Sequence, residues 1–484
     1  MSRMTAEKVP EYRLLVGGEW RAGQAPVEVR FPYTGDIIAR VHQATVKDLE
    51  GAAGFAAEAF GCTRRLSSGE RSRILSAIAD QVESRAPELA RMIVLEAGKT
   101  LSSATGEVQR AAATLRTSSE EAKRIGGEVI SLDWTTDAEG RIGITRRFPS
   151  GPVLGITPFN FPLNLACHKL GPAIAAGNSI ILKPASATPI SSILLAEMAL
   201  SAGLPPEALS VVPCPGNLAE RLVSDPRIAV LTFTGSPEVG WHLKDRAGRK
   251  KVTLELGGNA AVIVHSDSDA DYAAARIVAG GFSNAGQVCI SVQRVLLHED
   301  IHDDVLARIC AGVAALKTGD PREEETDVGP MISPSAADHA GRMVDEAVEG
   351  GGEVVIGGTW NGPLFFPTVL CGTTPAMRVE QEEVFAPVIT VNRYRNFDDA
   401  LARACQSRYG LQLGVFSRDI GRIMKAFAEC EVGGVVANDI PTFRVDHMPY
   451  GGVKESGTGR EGPRYAIQGM TDERLLILDA RGDR

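Results

Sequence analysis

Between residues 151 and 265 five short apolar runs recur: GPVLGIT (Gly151–Thr157), SIIL (Ser179–Leu182), LSVV (Leu209–Val212), VLTF (Val230–Phe233) and AAVIV (Ala260–Val264). Helical patterns lie between them at Ile190–Ala202 and Leu218–Ser224. Short buried strands that alternate with helices predict a parallel sheet with helical crossovers. A second α/β pattern follows residue 290. It has a strand at Arg294–His298, helices at Asp303–Leu316 and Ala336–Glu349, and strands near Glu353, Val388 and Val435. Upstream, Lys47–Phe60 and Ser68–Ala97 carry apolar residues at three-to-four spacing, and Gly106–Arg124 does so more weakly, which predicts helices. The period changes at 126–150, where Gly126-Gly127 leads into Glu128-Val-Ile-Ser-Leu132, a polar tip, and Arg141-Ile-Gly-Ile-Thr145. That is a hairpin pattern, suited to an oligomerisation arm or to an ordinary surface hairpin. The tail, Glu473–Leu478, reads as a strand. The fold class is α/β: two sheet-based layers meeting near Gly257-Gly258, plus the arm.

The chain has 484 residues, a formal charge of −9, 44% hydrophobic and 23% charged residues, the profile of a folded globular protein. The acidic balance and the lack of a Lys/Arg block argue against nucleic acid or a membrane surface as a partner. Met1–Pro10 mixes charges, and no run approaches membrane-helix length. Eight cysteines without a CxxC pair fit reduced thiols in a cytoplasmic protein rather than a disulfide framework. No metal site is indicated.

Several segments could carry chemistry. A literal GxGxxG at Gly457, Gly459 and Gly462 follows Lys454-Glu455-Ser456 rather than a strand, so a flexible loop accounts for it better than a phosphate cradle. Thr234-Gly235-Ser236-Pro237-Glu238 follows a buried strand and has the residues of a helix start. It offers free N–H groups to a phosphate, or is simply a well-capped helix. Lys183 ends an apolar strand, where open α/β sheets bind ligands and where surface lysines are also common. Cys289, in Ser283-Asn-Ala-Gly-Gln-Val-Cys-Ile290, lies among small residues beside Gly286, which suits an exposed nucleophile as well as a structural thiol. Glu255 sits among leucines before Gly257-Gly258, where burial would raise its pKa toward that of a general base. Asn160, in Thr157-Pro-Phe-Asn-Phe-Pro162, is an amide pinned between prolines. It could serve an oxyanion or form a rigid turn.

Together these blocks resemble the aldehyde dehydrogenase superfamily. Pro158-Phe-Asn-Phe-Pro162, Leu182-Lys-Pro184, Phe233-Thr-Gly-Ser236, Leu254-Glu-Leu-Gly-Gly258, Gly286-Gln-Val-Cys289, Glu382-Glu-Val-Phe385 and Pro449-Tyr-Gly-Gly452 occur in the family's order, and Cys289 follows Glu255 by 34 residues. The resemblance implies a Rossmann-type cofactor domain (1–125 and 151–257), an α/β catalytic domain (258–448) and a β-hairpin oligomerisation arm (126–150 and 463–484), assembled as a homodimer or homotetramer. It implies Cys289 as nucleophile, Glu255 as base, Asn160 with the Cys289 N–H as oxyanion hole, and Lys169 in a proton relay. It also implies NAD or NADP, held by Thr157, Pro158, Phe159, Lys183, Ser186, Gly216, Gly235, Ser236, Gly257, Glu383 and Phe385. Ser186 stands where many NAD-preferring members carry a Glu, which leaves room for a 2′-phosphate and makes NADP possible.

Phe159, His168-Lys169, Gly286-Gln-Val-Cys-Ile-Ser-Val292 and Arg444-Val-Asp-His-Met-Pro449 resemble the subgroup of lactaldehyde, phosphonoacetaldehyde, sulfolactaldehyde and non-phosphorylating glyceraldehyde-3-phosphate dehydrogenases. That implies a small, polar or anionic aldehyde, with Arg110, Arg444 and Phe161 as candidate substrate contacts. Arg110 also suits a surface salt bridge, Arg294 reads as structural, and Val288 weakens the case for glyceraldehyde-3-phosphate. The expected reaction is oxidation to the free acid through a Cys289 thioester. A CoA-acylating dehydrogenase is disfavoured by Glu255, and a non-enzymatic protein by the presence of both Cys289 and Glu255; a cysteine hydrolase is a fourth reading, which esterase turnover without nicotinamide would test.

Overall fold

The computed structural model describes residues 9–479. The ends of two expected segments, 1–8 and 480–484, lie outside them. Four of the apolar runs between 151 and 265 become neighbouring parallel strands of an eight-stranded sheet. Its order is Gly457–Thr458, Lys251–Glu255, Val230–Thr234, Val153–Ile156, Ile180–Lys183, Leu209–Val211, Leu14–Val16, Glu19–Arg21. The five strands from Lys251–Glu255 to Leu209–Val211 are parallel, with antiparallel strands at the edges. Register then fixes the site. Ile156 pairs with both Lys183 and Phe233, and Thr234 pairs with Glu255. The carboxyl ends of these strands, and the loops that follow, therefore open on one edge, where such sheets bind ligands.

After Glu255 the chain crosses to a second sheet, in the order Glu353–Ile356, Thr368–Cys371, Val388–Tyr394, Val292–His298, Ala260–Val264, Gln412–Phe416, Gly434–Ala437. All neighbours are parallel except the Glu353–Ile356 edge. The strands of both sheets are near-continuous Val/Ile/Leu runs because helices cover both faces. The helix Asn164–Ala176 is buried along its whole length. It packs against Leu101–Ala122 so closely that a Cβ on Gly171 would lie 2.5 Å from Ser118 Oγ.

The 126–150 segment forms the expected hairpin, Val129–Ser131 with Arg141–Pro149, and the tail strand Thr471–Asp479 pairs antiparallel along the latter. Leu475, Leu476, Ile477 and Leu478 are exposed on this arm. The Ser68–Ala97 pattern is two helices, Ser68–Ser84 and Ala86–Ala97, separated at Arg85. Pro87, without an N–H, starts the second helix where it would have broken a continuous one.

Two expectations are corrected. Cys405 and Cys430 are joined in a disulfide, their Cα atoms 5.4 Å apart, although the sequence suggested reduced thiols throughout. They close the ends of two consecutive helices, Phe397–Cys405 and Ile420–Glu429, a proximity that a spacing of 25 residues does not reveal. The GxGxxG segment is not a flexible loop. Gly457 lies in an edge strand, where a Cβ would meet the Leu254 carbonyl oxygen at 2.0 Å, so glycine serves sheet contact there.

Candidate active site

The loops at the strand ends enclose a cavity of about 770 Å³ between the two sheets. Cys289, Glu255 and Asn160 line it, as do Thr157, Pro158, Phe159, Phe161, Lys183 and Ser186. Gly235, Ser236, Gly257, Glu383, Phe385, Arg110 and Arg444 complete the expected set. Two expected residues stand apart. Lys169 is buried beneath the cavity, and Gly216 is exposed at the start of the Gly216–Ser224 helix, outside the lining.

The loop before Cys289 is unusual backbone. Asn284, Ala285 and Gly286 have φ of 51°, 52° and 69° in succession. Left-handed conformation at a residue with a Cβ costs about 1–2 kcal/mol, and such strain collects where a fold must present a group in one orientation. Glycine is obligatory at 286, because a Cβ would meet the Ala386 carbonyl oxygen at 2.0 Å. Asn160 Nδ2 donates to the Gln287 carbonyl at 2.8 Å, tying the Pro158–Pro162 turn to this loop. The second Nδ2 hydrogen is unused, and among the described residues the Cys289 N–H donates to nothing. Cys289 Sγ is 3.0 Å from Tyr450 Oη. Burial pushes the thiol up to about 12, and the Tyr450 contact pulls it back.

Glu255 is 3% exposed, and neither carboxyl oxygen has a partner among the described residues. Burial, and then the charge of Glu461, push its pKa well above the ordinary carboxylate range. Beneath it Lys169 Nζ donates to Thr234 Oγ1 at 2.7 Å and to Glu461 Oε1 at 3.2 Å. Burial alone would raise the Glu461 carboxyl, but Lys169, then His168 and Arg444, hold it down at about 2.

The mouth on the arginine side is a network of paired charges. Arg110 makes a two-point ion pair with Asp446, Nε–Oδ2 3.0 Å and Nη2–Oδ1 2.9 Å. Asp446 also accepts from Asn164 and meets His168 Nε2 at 2.9 Å. Arg444 Nη2 donates to Glu461 Oε2 at 3.1 Å, while its Nε is buried with no partner. Lys99 pairs with Glu107 at 2.7 Å and sits 3.4 Å from the centroid of the Phe161 ring. Arg294 donates to the carbonyls of Asn259, Arg403 and Ala404, a structural role as expected. Sequence reading assigned no role to Lys99, Glu107, Asp446, Tyr450 or Glu461. Asp446 and Tyr450 fall inside blocks already quoted, 444–449 and 449–452, which marked their segments but not their roles; Lys99, Glu107 and Glu461 carried no local signal.

At the other end the residues suit a dinucleotide. Lys183 is 7% exposed and makes no ion pair among the described residues, beside an exposed Ser186. Ser236 leaves the first turn of the Pro237–Arg246 helix without a side-chain cap. Free N–H groups at a helix start and an unpaired ammonium fit an anionic phosphate. Glu383 accepts the Gly258 N–H at 2.9 Å, and burial pushes its pKa up to about 8. Phe385, at φ 52°, turns its ring edge-on to Phe159, centroids 5.9 Å apart.

Residues 20–475 match the model of the aldehyde dehydrogenase family. The chain belongs to that family. It is an NAD(P)-dependent oxidoreductase that acts on an aldehyde. The enzyme is 44% identical over 473 residues to the 3-sulfolactaldehyde dehydrogenase of Priestia aryabhattai, covering 98% of this chain and 99% of that one. It is 40% identical, with a TM-score of 0.96, to the solved structure of aldehyde dehydrogenase 21 from Physcomitrella patens in complex with the reaction product succinate, covering 98% and 100%. Glyceraldehyde-3-phosphate dehydrogenase GapN from Methanocaldococcus jannaschii, solved with NADP, matches with a TM-score of 0.91 at 35% identity, covering 94% and 99%. Among the described residues no helix is long and apolar enough to cross a membrane, and no cluster of three or more His, Cys, Asp or Glu could hold a metal.

Proposed function

We propose that the enzyme oxidises a small anionic aldehyde to its carboxylic acid, with Cys289 as nucleophile. The observation that carries this reading is the charge at the arginine end of the cavity. Lys99 is paired with Glu107 and Arg110 with Asp446, Arg444 shares Glu461 with the Lys169 buried beneath it, and Arg444 Nε is a buried donor with nothing to bind. A substrate anion would take that donor and the surplus charge. The relatives named for sulfolactaldehyde and crystallised with succinate act on, or release, anions of that size.

The steps follow from the residues. Cys289 thiolate attacks the aldehyde carbon, and the carbonyl oxygen, now negative, is met by the free Asn160 Nδ2 and Cys289 N–H hydrogens. A bound nicotinamide supplies the hydride acceptor. Glu255, its carboxylate formed by loss of a proton to water in the cavity, then takes a proton from the water that adds to the thioester carbon; the C–S bond breaks, Cys289 leaves as thiolate, and the acid is released. Lys183, Ser186 and Ser236 would hold the adenosine end and the diphosphate, and Glu383 and Phe385 the nicotinamide end. Thr157, Pro158, Phe159, Gly235 and Gly257 would shape the wall between. Gly216, exposed at a helix start outside the lining, would border the adenosine end. Lys169, bonded to Thr234 and Glu461, would pass protons rather than touch substrate. We assign 1–125 with 151–257 to cofactor binding, 258–448 to catalysis, and 126–150 with 463–484 to a homodimer or homotetramer contact. A cytoplasmic location is part of the same proposal: six of the eight cysteines are free thiols, and the Cys405–Cys430 disulfide is the exception to that pattern.

The test is a panel of initial rates, with NAD and with NADP, over succinate semialdehyde, phosphonoacetaldehyde, lactaldehyde, glycolaldehyde, glyceraldehyde-3-phosphate and an uncharged medium-chain aldehyde. An anionic member should lead by a hundredfold or more in kcat/KM, about 2.7 kcal/mol of discrimination. Equal efficiency with the uncharged aldehyde would overturn the anion reading.

A further inference from the structure

We propose that Tyr450 is a catalytic residue: its phenol donates a hydrogen bond to the Cys289 thiolate and sets how readily the nucleophile ionises. The proposal rests on the reading of Cys289 as nucleophile and adds a group which that reading leaves unused. The two heavy atoms are 3.0 Å apart, short for a contact to sulfur. Tyr450 is 3% exposed, and its ring is fixed from several sides. Val288, Ile290 and Leu411 form its apolar seat. Its backbone exchanges two hydrogen bonds with Glu461, at 3.1 and 2.6 Å. The Arg444 guanidinium lies 3.7 Å from the ring centroid. A phenol with so little freedom is aimed at the sulfur by the fold.

The direction of the bond follows from acidity. Free phenols ionise near pH 10 and free thiols near 8.5. Burial raises both here, and their contact lowers the Cys289 thiol while raising the Tyr450 phenol, so the thiol keeps the lead in acidity and the phenol is the donor. The charged and titratable groups facing the sulfur are Tyr450, Glu383, Arg444 and Glu255. The carboxylates oppose ionisation, while Tyr450 and Arg444 favour it. Those facing the phenol are Cys289, Arg444 and Glu255. Arg444 therefore assists the thiolate twice, by its charge and by holding the ring that carries the donor. During attack the sulfur lone pair forms the C–S bond, the carbonyl π pair moves to oxygen, and the phenol keeps its proton throughout. Its bond to the now neutral sulfur weakens.

The stabilisation has a cost that makes the proposal testable. A hydrogen bond to a charged group is worth roughly one to two pH units of thiol acidity. Thiolate nucleophilicity falls as acidity rises, with a Brønsted slope of about 0.4–0.5. In Tyr450→Phe, which keeps the ring under Arg444, the thiolate fraction near neutral pH should fall ~10–100-fold while each thiolate becomes ~3–10-fold more reactive. Alkylation of Cys289 by iodoacetamide should then slow by about 3–10-fold between pH 7 and 9. 3-Fluorotyrosine at position 450, a stronger donor of the same shape, should speed it. Both are read on the Cys289 peptide by mass spectrometry, in the protein without added cofactor, with residual aldehyde oxidation assayed in parallel. Alkylation at the wild-type rate in both variants at every pH overturns the role of Tyr450. Retention of oxidation by fully alkylated wild-type protein overturns Cys289 as nucleophile instead, and the alkylation rates still decide whether the phenol tunes the sulfur.

Discussion

At the scale of single residues, the site sets a thiol and a carboxyl, both buried beyond their comfortable ionisation, against a few fixed donors. Glu255 has no hydrogen-bond partner on either oxygen and a pKa pushed well up by burial. A carboxyl so placed costs stability and is available to water and substrate alone. In Glu255→Gln the attack on aldehyde survives and hydrolysis of the thioester does not. Rapid mixing should show one equivalent of reduced nucleotide per site in a burst, followed by a steady rate lower by ~10²–10⁴-fold. A variant with full steady turnover would remove Glu255 from the mechanism. Because burial raises the folded carboxyl well above the ordinary carboxylate range, wild-type turnover should climb with pH above that range, and the residual steady rate of Glu255→Gln should lose that limb. The two arginines differ. Arg444 has a buried, unsatisfied Nε, whereas Arg110 is a third exposed and already forked onto Asp446. Arg444→Gln should therefore lower kcat/KM for the best anionic aldehyde by ten- to a hundredfold, and Arg110→Gln by less. Substrate-panel kinetics on both variants reads the order directly.

At the scale of elements, the turn after Lys251–Glu255 carries the second set of constraints. A Cβ on Gly258 would lie 2.2 Å from the Cys289 carbonyl oxygen, and that oxygen belongs to backbone that cannot rotate away. Gly258→Ala should displace the nucleophile loop, losing about 1–3 kcal/mol of stability and most of the activity. A denaturant midpoint and kcat measured together check it. The arm makes the opposite kind of prediction. Leu475 to Leu478 are 44–55% exposed on a strand that is paired along one edge only. An exposed apolar edge of that kind needs a cover. Leu476→Lys should leave the subunit folded and shift it to a smaller assembly in light scattering behind size exclusion. These elements were legible to different degrees. The parallel strands from Val153 to Val264 could be read because burial on both faces writes continuous apolar runs, and the hairpin because its period changes. The helix Asn164–Ala176 could not. It is buried all round, contains Pro172, and so has no polar face to give it a period. Of the strands near residues 11–43, three are only two or three residues long and the two seven-residue ones mix charged and apolar positions, so they carry no comparable signal. Family blocks led to Cys289, Glu255 and Asn160, but not to Asp446 and Glu461. Those two matter through partners 278 to 336 residues away, which no local pattern encodes.

At the scale of the whole molecule, buried carboxyls of two kinds pull stability in opposite directions along the pH axis. Glu461, between Lys169 and Arg444, is held down at about 2, and Asp446, between His168 and Arg110, lies lower still. A carboxyl whose folded pKa is depressed stabilises the fold above its unfolded value and loses that contribution as pH falls through the folded one. For Glu461 this amounts to roughly 3 kcal/mol, lost between about pH 4 and 2. Glu96 behaves oppositely. It is fully buried, and burial drives its pKa up to about 7 even though it accepts bonds from Ile190 N at 2.8 Å and Ser191 N at 3.0 Å. Its contribution is complete below about pH 4 and drains away as pH rises toward 7, because the unfolded chain releases the proton first. Glu383, raised to about 8, extends the same slope by another unit. The denaturation midpoint should therefore be highest on the acid side of neutrality and decline toward pH 8. Glu96→Gln cannot ionise, so between pH 4.5 and 7 its stability should fall less steeply than that of the wild type, by up to about 1.4 kcal/mol per pH unit. It should still be less stable at pH 4.5, because an amide has one acceptor oxygen and turns its NH2 toward one of the two backbone N–H donors, Ile190 and Ser191, that now each meet an oxygen. Parallel slopes for the two proteins over that range would mean that Glu96 is ionised in the fold, its charge carried by the start of the Ile190–Ser201 helix.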